Sequence, residues 1–181
     1  MKRLINDKKE VRYSAKDCAF LAVFVAIVIA VQLVLSIIPG VELVTVLFIS
    51  YSFVVGARKG MVAATVFSIL RQIVFGFFPT VLVLYLIYYN LLSMFFGLLG
   101  RKLDEKIKRV PIIVILACIG TIFFTLIDCL LTPLWYGYSK KATILYGYAA
   151  IPFMIPQVIC TAVSVSILFY PLVKIFRFAT K

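Results

Sequence analysis

Polar and charged side chains interrupt several long apolar runs of this sequence. They include an arginine and two carboxylates, groups that are costly inside a bilayer and therefore mark candidates for function. The chain has no His, so the commonest general base and metal ligand is missing. The remaining chemistry is binding by charge and hydrogen bonds, and its candidate residues are Glu42, Arg71, Gln72, Asn90, Asp128 and Gln157.

These side chains fall at the midplane or toward one end of their runs. Arg71 and Gln72 lie about 16–18 Å along theirs, if each residue adds about 1.5 Å of helix rise. The other half of each run is almost entirely Leu, Ile, Val, Phe and Ala. A channel needs polar lining along its whole length. The pattern therefore favours a pocket that opens to one side of a membrane.

A purely structural role stays open for each of these residues. Arg71 could pair with Glu42 or Asp128 to fix helix packing, since an unpaired arginine costs at least about 2.5 kcal/mol on insertion scales. The amides, Gln32 included, could form interhelical hydrogen bonds worth typically about 0.6 kcal/mol. The sequence predicts a partner for Arg71 but does not choose between packing and ligand binding.

Aromatic residues crowd the same region and allow two explanations. Trp and Tyr are enriched where helices meet the membrane surface, and aromatic walls with a few polar groups also bind flat heterocycles. We expect Trp135 and Tyr136 to form a lid near Asp128. The full set is Phe75, Phe77, Phe78, Tyr85, Tyr88, Tyr89, Trp135, Tyr136, Tyr138, Tyr146 and Tyr148.

The elements that position these residues are predicted to be membrane-spanning helices. The 181 residues are 64% hydrophobic and 14% charged, against roughly 25% charged and under 50% apolar in soluble domains. A bilayer needs about 20 apolar residues per helix. We predict an all-α polytopic membrane protein, one integral domain over 1–181, with spans at 18–38, 41–57, 61–78, 80–100, 110–134 and 149–176. Spans two and three are the ones that could be shorter or tilted.

The basic residues predict the orientation, because Lys and Arg concentrate in cytoplasmic loops. Six lie in the N-terminal segment, two at Arg58 and Lys59, five between 101 and 109, and three near the C-terminus. The other side has Lys140 and Lys141. Both termini are therefore expected in the cytoplasm, which requires an even number of spans. The net charge of +12 lies in these short blocks, so a nucleic-acid partner is not expected.

Cofactor, metal and catalytic signatures are missing from the sequence. The four cysteines stand alone in apolar runs, which favours packing over metal binding. There is no Gly-x-Ser-x-Gly motif, carboxylate pair within one span, or G-x-x-x-x-G-K-[ST] phosphate loop. We expect neither an enzyme nor a bound cofactor or metal.

Small residues trace one face of the first span. Such faces let a second helix approach closely, either within the protein or on a partner subunit. The stripe consists of Ala15, Ala19, Ala22, Ala26 and Ala30.

Taken together, the chain resembles the substrate-binding S components of energy-coupling factor (ECF) vitamin transporters. Length, six spans and cytoplasmic termini match, and the resemblance covers most of the chain. Ala22, Ala26 and Ala30 look like the family's alanine motif. The turn Gly56-Ala57-Arg58-Lys59-Gly60, followed by Ala63-Ala64, is similar to its glycine-rich turn, and Pro39–Glu42 to its first outer loop.

The resemblance implies a plasma-membrane protein that binds a scarce water-soluble nutrient from outside and topples when docked on a T component driven by two ATPase subunits. The alanine motif would contact the T component. The substrate stays open among flavin, folate-like, pyridoxal-like, pyrimidine, queuosine-like and cobalamin-like molecules. A non-enzymatic assembly or sensor subunit, and a self-sufficient transporter or channel, remain alternatives.

Overall fold

The computed structural model describes residues 14–38, 40–103 and 110–180. Pro39, Lys181, the basic residues of segment 1–13 and those of 104–109 lie outside these ranges. The predicted all-α fold is confirmed. The helices are α1 (Ala15–Leu35), α2 (Val44–Val55), α3 (Ala57–Phe75), α4 (Pro79–Lys102), α5 (Val110–Trp135) and α6 (Lys140–Thr180).

Four of these helices are long and apolar enough to cross a membrane: α1, α4, α5 and α6. Helix α3 has 19 residues but includes three basic ones, Arg58, Lys59 and Arg71. Helix α2 has 12 residues, about 18 Å of helix, which is shorter than a bilayer core of about 30 Å.

Helix α2 lies at the centre of the bundle. Every residue from Val44 through Phe53 is buried, and the helix packs against α3, α4, α5 and α6. A helix that is apolar on all sides must be surrounded by other helices or by lipid. Helix α2, predicted as part of the second span, is therefore a short apolar helix surrounded by protein and is not among the helices long enough to cross a membrane.

Close backbone contacts hold the α2–α3 corner against α4. Gly56 makes the corner with a positive φ of 87°, and α3 begins at the next residue. The predicted tight turn over 56–60 is therefore limited to Gly56, because Ala57 to Gly60 already form the first turn of α3. A Cβ on Gly97 would lie 2.3 Å from the Ala57 nitrogen, so α4 needs glycine there.

Helix α6 begins earlier than the sixth predicted span, at Lys140 rather than 149. Ser139 caps it, since its Oγ accepts a hydrogen bond from the Ala142 backbone N–H (3.4 Å). The mixed segment 135–148 is too polar to belong to the predicted span. Polar residues set the limit of a predicted membrane span, but they do not end a helix. Helix α6 therefore extends beyond the apolar run, over the polar residues that precede it.

The two ends of the bundle differ in chemistry. At one end, here called the cavity end, α1 leads into α2, α3 into α4 and α5 into α6. At the opposite end lie the α2–α3 corner and the α1 N-terminus, joined by an ion pair between Lys59 and Asp17. Arg101 and Lys102 end α4 there. The polar residues singled out from the sequence must be sought at the cavity end.

Candidate functional site

A cavity of about 300 Å³ lies at the cavity end, between the α1–α2 loop, α3 and α6. Its polar lining includes three of the predicted site residues and one further amide; its apolar lining includes Phe75 and Phe153. The fold thus brings distant segments to one cavity, and the polar lining residues are Gln32, Ser36, Glu42, Arg71 and Gln157.

Arg71 lies between two aromatic rings. Its guanidinium carbon is 4.7 Å from the centre of the Phe75 ring and 4.6 Å from that of Tyr85. Cation–π contacts of this kind contribute about 0.5–2 kcal/mol, more when water is excluded. The predicted partner of Arg71 is therefore aromatic: within the described ranges it forms no ion pair with Glu42 or Asp128.

The hydrogen-bonding capacity of Arg71 is largely unused. Its Nε and Nη1 atoms are buried and have no hydrogen-bond partner among the described residues. An unsatisfied buried donor costs about 1–3 kcal/mol, and more when it is charged. The guanidinium lies between the two rings, and two of its three nitrogens lack an acceptor among the described residues.

Gln32 extends this arrangement from α1. Its Nε2 donates a hydrogen bond to the Tyr85 hydroxyl (3.1 Å), which fixes the side-chain amide next to the ring that stacks on Arg71. The amide oxygen Oε1 is buried and has no partner in the described part of the chain. The cavity therefore offers an unmet acceptor near unmet donors.

Glu42 contributes a carboxyl group to the cavity and is positioned by α2 and α6. The Thr45 hydroxyl donates to its Oε1 (2.8 Å), and the Gln157 amide lies beside the same carboxylate. Its backbone oxygen lies 3.4 Å from Cys160 Sγ. These contacts hold the α1–α2 loop against α6.

Gly40 allows this loop to pack closely on α6. Its φ is +79°, a conformation that side chains other than glycine rarely adopt, and a Cβ there would lie 3.0 Å from Cγ of Pro156. The loop that follows α1 is thus a wall of the cavity.

A second cavity, of about 320 Å³, adjoins the first and shares Phe153 and Gln157 with it. Its charged group is Asp128 of α5. The Asp128 carboxylate accepts hydrogen bonds from the hydroxyls of Thr132 (2.7 Å) and Tyr146 (2.8 Å). The predicted site residues are therefore divided: Glu42 and Arg71 line one cavity, Asp128 the other, and Gln157 both.

Two predicted site residues make contacts within the protein instead. Gln72 is buried, and its Oε1 accepts a hydrogen bond from the Phe78 backbone N–H (3.0 Å), which stabilises the α3–α4 connection. Asn90 contacts Thr65 of α3 (3.3 Å) and donates to the Leu86 carbonyl (2.7 Å). Neither is among the residues that line the two cavities.

Trp135 and Tyr136, the predicted lid, lie at the end of α5 with side chains 53% and 55% exposed. They line neither of the two cavities. The aromatic residues that line the cavity next to Asp128 are Phe124 of α5 and Tyr146 and Phe153 of α6. The sequence analysis included Tyr146 in the aromatic group but did not predict it as a site residue. Phe153 lies between Pro152 and Pro156, and nothing in the sequence except its aromatic side chain indicated a role in a site.

The alanine stripe of α1 faces away from the other described helices. Ala15, Ala19, Ala22, Ala26 and Ala30 are all exposed, whereas the opposite face buries Phe24, Val25 and Val28. The internal-packing explanation of the stripe therefore fails within the described structure, and the face is free for another chain or for lipid.

In residues 14–38, 40–103 and 110–180, no group of three or more His, Cys, Asp or Glu side chains is placed so that it could bind a metal ion. All four cysteines are free thiols.

Comparison of this chain with family models, curated proteins and solved structures finds no match. The site must therefore be interpreted from its own geometry.

Proposed function

We propose that this chain is the substrate-binding S component of an ECF-type importer. It is a six-span protein of the bacterial plasma membrane with both termini in the cytoplasm. It is not an enzyme: it captures a small water-soluble molecule of the vitamin class from outside and passes it on together with a T component and two ATPase subunits.

The observation that carries the proposal is the unmet hydrogen-bonding capacity of Arg71. Several neutral side chains also have buried atoms without partners among the described residues, Gln72 Nε2 among them, but Arg71 is the charged one. An unpaired charged donor is the most costly kind, so a packing role alone would be expected to satisfy it. Instead, Phe75 and Tyr85 hold the guanidinium at a cavity while Nε and Nη1 lack acceptors among the described residues. A solute with a carboxylate or carbonyl group that binds the guanidinium from the cavity would supply an acceptor, with a shift of the side chains that cover these two nitrogens.

The position of the cavity supports capture from outside. The opposite end carries Arg58, Lys59, Arg101 and Lys102, which the positive-inside rule assigns to the cytoplasm. The cavity end, where Lys140 and Lys141 begin α6, would then face outward. The exposed alanine face of α1, with Ala22, Ala26 and Ala30, is available for a T component.

Mass spectrometry of small molecules that co-purify with the detergent-solubilised protein tests the proposal. We expect the wild-type protein to retain one compound and Arg71→Ala to lose it, because charged hydrogen bonds contribute about 1.5–3 kcal/mol each. The matched control is Arg101→Ala, which removes an exposed arginine at the opposite end and should retain the compound. A wild-type protein free of small molecules, or Arg71→Ala with undiminished content, contradicts the proposal.

A further inference from the structure

The two cavities meet along one turn of α6. Phe153 and Gln157 are four residues apart, so they lie on the same helix face, and both line both cavities. The lining that the two cavities share consists of these two side chains. One of them, Gln157, has an amide that can donate to one side and accept from the other.

The two cavities differ in the groups they leave unmatched. The first contains the unmatched donors of Arg71 and a carboxyl group, Glu42, that Thr45 and Gln157 already contact. The polar groups of the second include the Asp128 carboxylate, the Tyr146 hydroxyl and Thr125, and no described basic residue lines it. Each oxygen of Asp128 accepts one hydroxyl hydrogen bond, and a carboxylate has about four acceptor positions. In the described part of the chain no basic side chain pairs with it.

The unpaired Asp128 carboxylate indicates a ligand site in the second cavity, just as the unmatched Arg71 donors indicate one in the first. Ionisable groups at membrane depth usually pair with one another or mark a pathway or ligand site. Arg71 and Asp128 have opposite charges and could have neutralised each other, yet they line separate cavities. A molecule that reaches both would neutralise both.

We propose that the two cavities are the halves of one bipartite site, and that its substrate is two-ended. An anionic or carbonyl group binds Arg71 in the first half, and a cationic amine or N–H group binds Asp128 in the second. Phe153 and Gln157 contact the middle of the molecule. This inference rests on the proposed capture function and narrows the class of its substrate.

The size of the two spaces agrees with this division. Ligand pockets in proteins are about 300–1,000 Å³, and each half, at about 300 and 320 Å³, lies at the lower limit of that range. Either half alone holds a small fragment, and together they hold a molecule of ordinary metabolite size.

A series of ω-amino carboxylates, from aminobutanoate to aminooctanoate, tests the inference whatever the natural substrate is. Each is compared with the plain carboxylate of equal length, which lacks the amine. Binding is followed by NMR of the methyl group of Met154, which lines the second half. Met94 faces a separate apolar cavity between α4 and α5 and serves as an internal control.

We expect at least one chain length to bind about tenfold or more tightly than its plain carboxylate, a difference of about 1.4 kcal/mol. Asp128→Asn, which keeps the shape but removes the charge, should abolish this advantage. Tyr146→Phe, which frees one acceptor position on Asp128, should preserve or increase it. Arg101→Ala should leave it unchanged.

The bipartite site is overturned if no chain length gains from its amine, or if the gain persists in Asp128→Asn. If either result occurs while retention of a co-purified compound still depends on Arg71, only the Asp128 half of the proposed site is refuted, and the capture function stands. Conversely, an amine advantage that depends on Asp128, in a protein that purifies without any compound, refutes the capture function and leaves the Asp128 half in place.

Discussion

Arg71 is the residue on which the candidate site depends most. Its side chain combines a fixed position between two rings with donors that lack acceptors among the described residues. Lysine carries the same charge but lacks the planar fork and stacks poorly on aromatic faces. The proposed site therefore favours a guanidinium over an ammonium group at this position.

Arg71→Lys should lower the affinity for the co-purified compound by about tenfold or more while the protein remains folded, because the stacked geometry and the fork are lost. The measurement is retention of the compound through a graded detergent wash, alongside a thermal unfolding curve. Arg101→Lys is the matched control. Equal retention by wild type and Arg71→Lys would mean that charge alone is sufficient.

Tyr85 has two roles that substitution can separate. Its ring stacks on Arg71 and its hydroxyl accepts the Gln32 hydrogen bond. Tyr85→Phe keeps the ring and removes the hydroxyl, so we expect a modest loss of about 0.5–1.5 kcal/mol in binding. Tyr85→Ala removes both and should lose binding as far as Arg71→Ala does. Titration of the purified variants with the compound identified from wild type measures the difference, and similar losses in both variants would exclude a role for stacking.

At the scale of elements, two glycines let α4 pack closely on α2 and α3 at the end opposite the cavities. A Cβ added to Gly97 would overlap backbone atoms of Ala57, and one added to Gly100 would overlap backbone atoms of Phe53. Backbone atoms cannot move aside as a flexible side chain can. The position of α3, and with it that of Arg71, depends on this contact.

Gly97→Ala should therefore destabilise the protein by several kcal/mol, since overpacking costs typically about 1–3 kcal/mol and backbone clashes cost more. Gly147→Ala in α6 is the control, because nothing lies within 4 Å of its added Cβ and alanine favours a helix by about 0.5–1 kcal/mol. Thermal unfolding in detergent measures both. A Gly97→Ala variant as stable as wild type would show that α4 can shift.

The alanine face of α1 is an element with no neighbour among the described helices. If a partner subunit packs on it, added bulk should prevent assembly without affecting binding by the isolated protein. We expect Ala26→Leu to reduce co-purification with T component and ATPase subunits while the compound is retained. Val163→Leu, at an exposed position of α6, is the control, and assembly that tolerates Ala26→Leu would argue that the face contacts lipid.

Sequence analysis predicted the helices better than the directions of their side chains. Gln72, Asn90 and Gln157 are amides at similar depths, and the sequence assigns them the same role. Packing separates them: Gln72 bonds the α3–α4 connection, Asn90 contacts Thr65, and Gln157 lines both cavities. The rotation of a helix about its axis decides this, and in a helix that is apolar on all sides no periodic pattern marks it.

The sequence also does not predict the actual partners of Arg71, for a related reason. A carboxylate is the expected partner, because charge neutralisation is the usual solution inside a membrane. The structure instead uses Phe75, one turn further along α3, and Tyr85 of α4. Both rings belong to the aromatic group of the sequence, but nothing in their spacing links them to the guanidinium.

At the scale of the whole molecule, the proposed function requires that the cavity end face outward. Basic residues mark the opposite end, and two lysines precede the apolar part of α6 at the cavity end. The positive-inside rule predicts that the basic end is cytoplasmic. Capture of an external nutrient fails if the orientation is reversed, whatever the cavity binds.

Single cysteines, introduced after the four native ones are replaced by alanine, test this orientation. Ser139→Cys lies at an exposed position of the cavity end, and Lys102→Cys at an exposed position of the opposite end. In intact cells a membrane-impermeant maleimide should label Ser139→Cys, and it should reach Lys102→Cys only after the membrane is permeabilised. The pair is matched because both side chains are exposed and both lie next to a helix end.

The opposite result, labelling of Lys102→Cys in intact cells with Ser139→Cys protected, would mean that the cavities face the cytoplasm. The same hydrogen-bonding groups would then serve an exporter or an internal sensor.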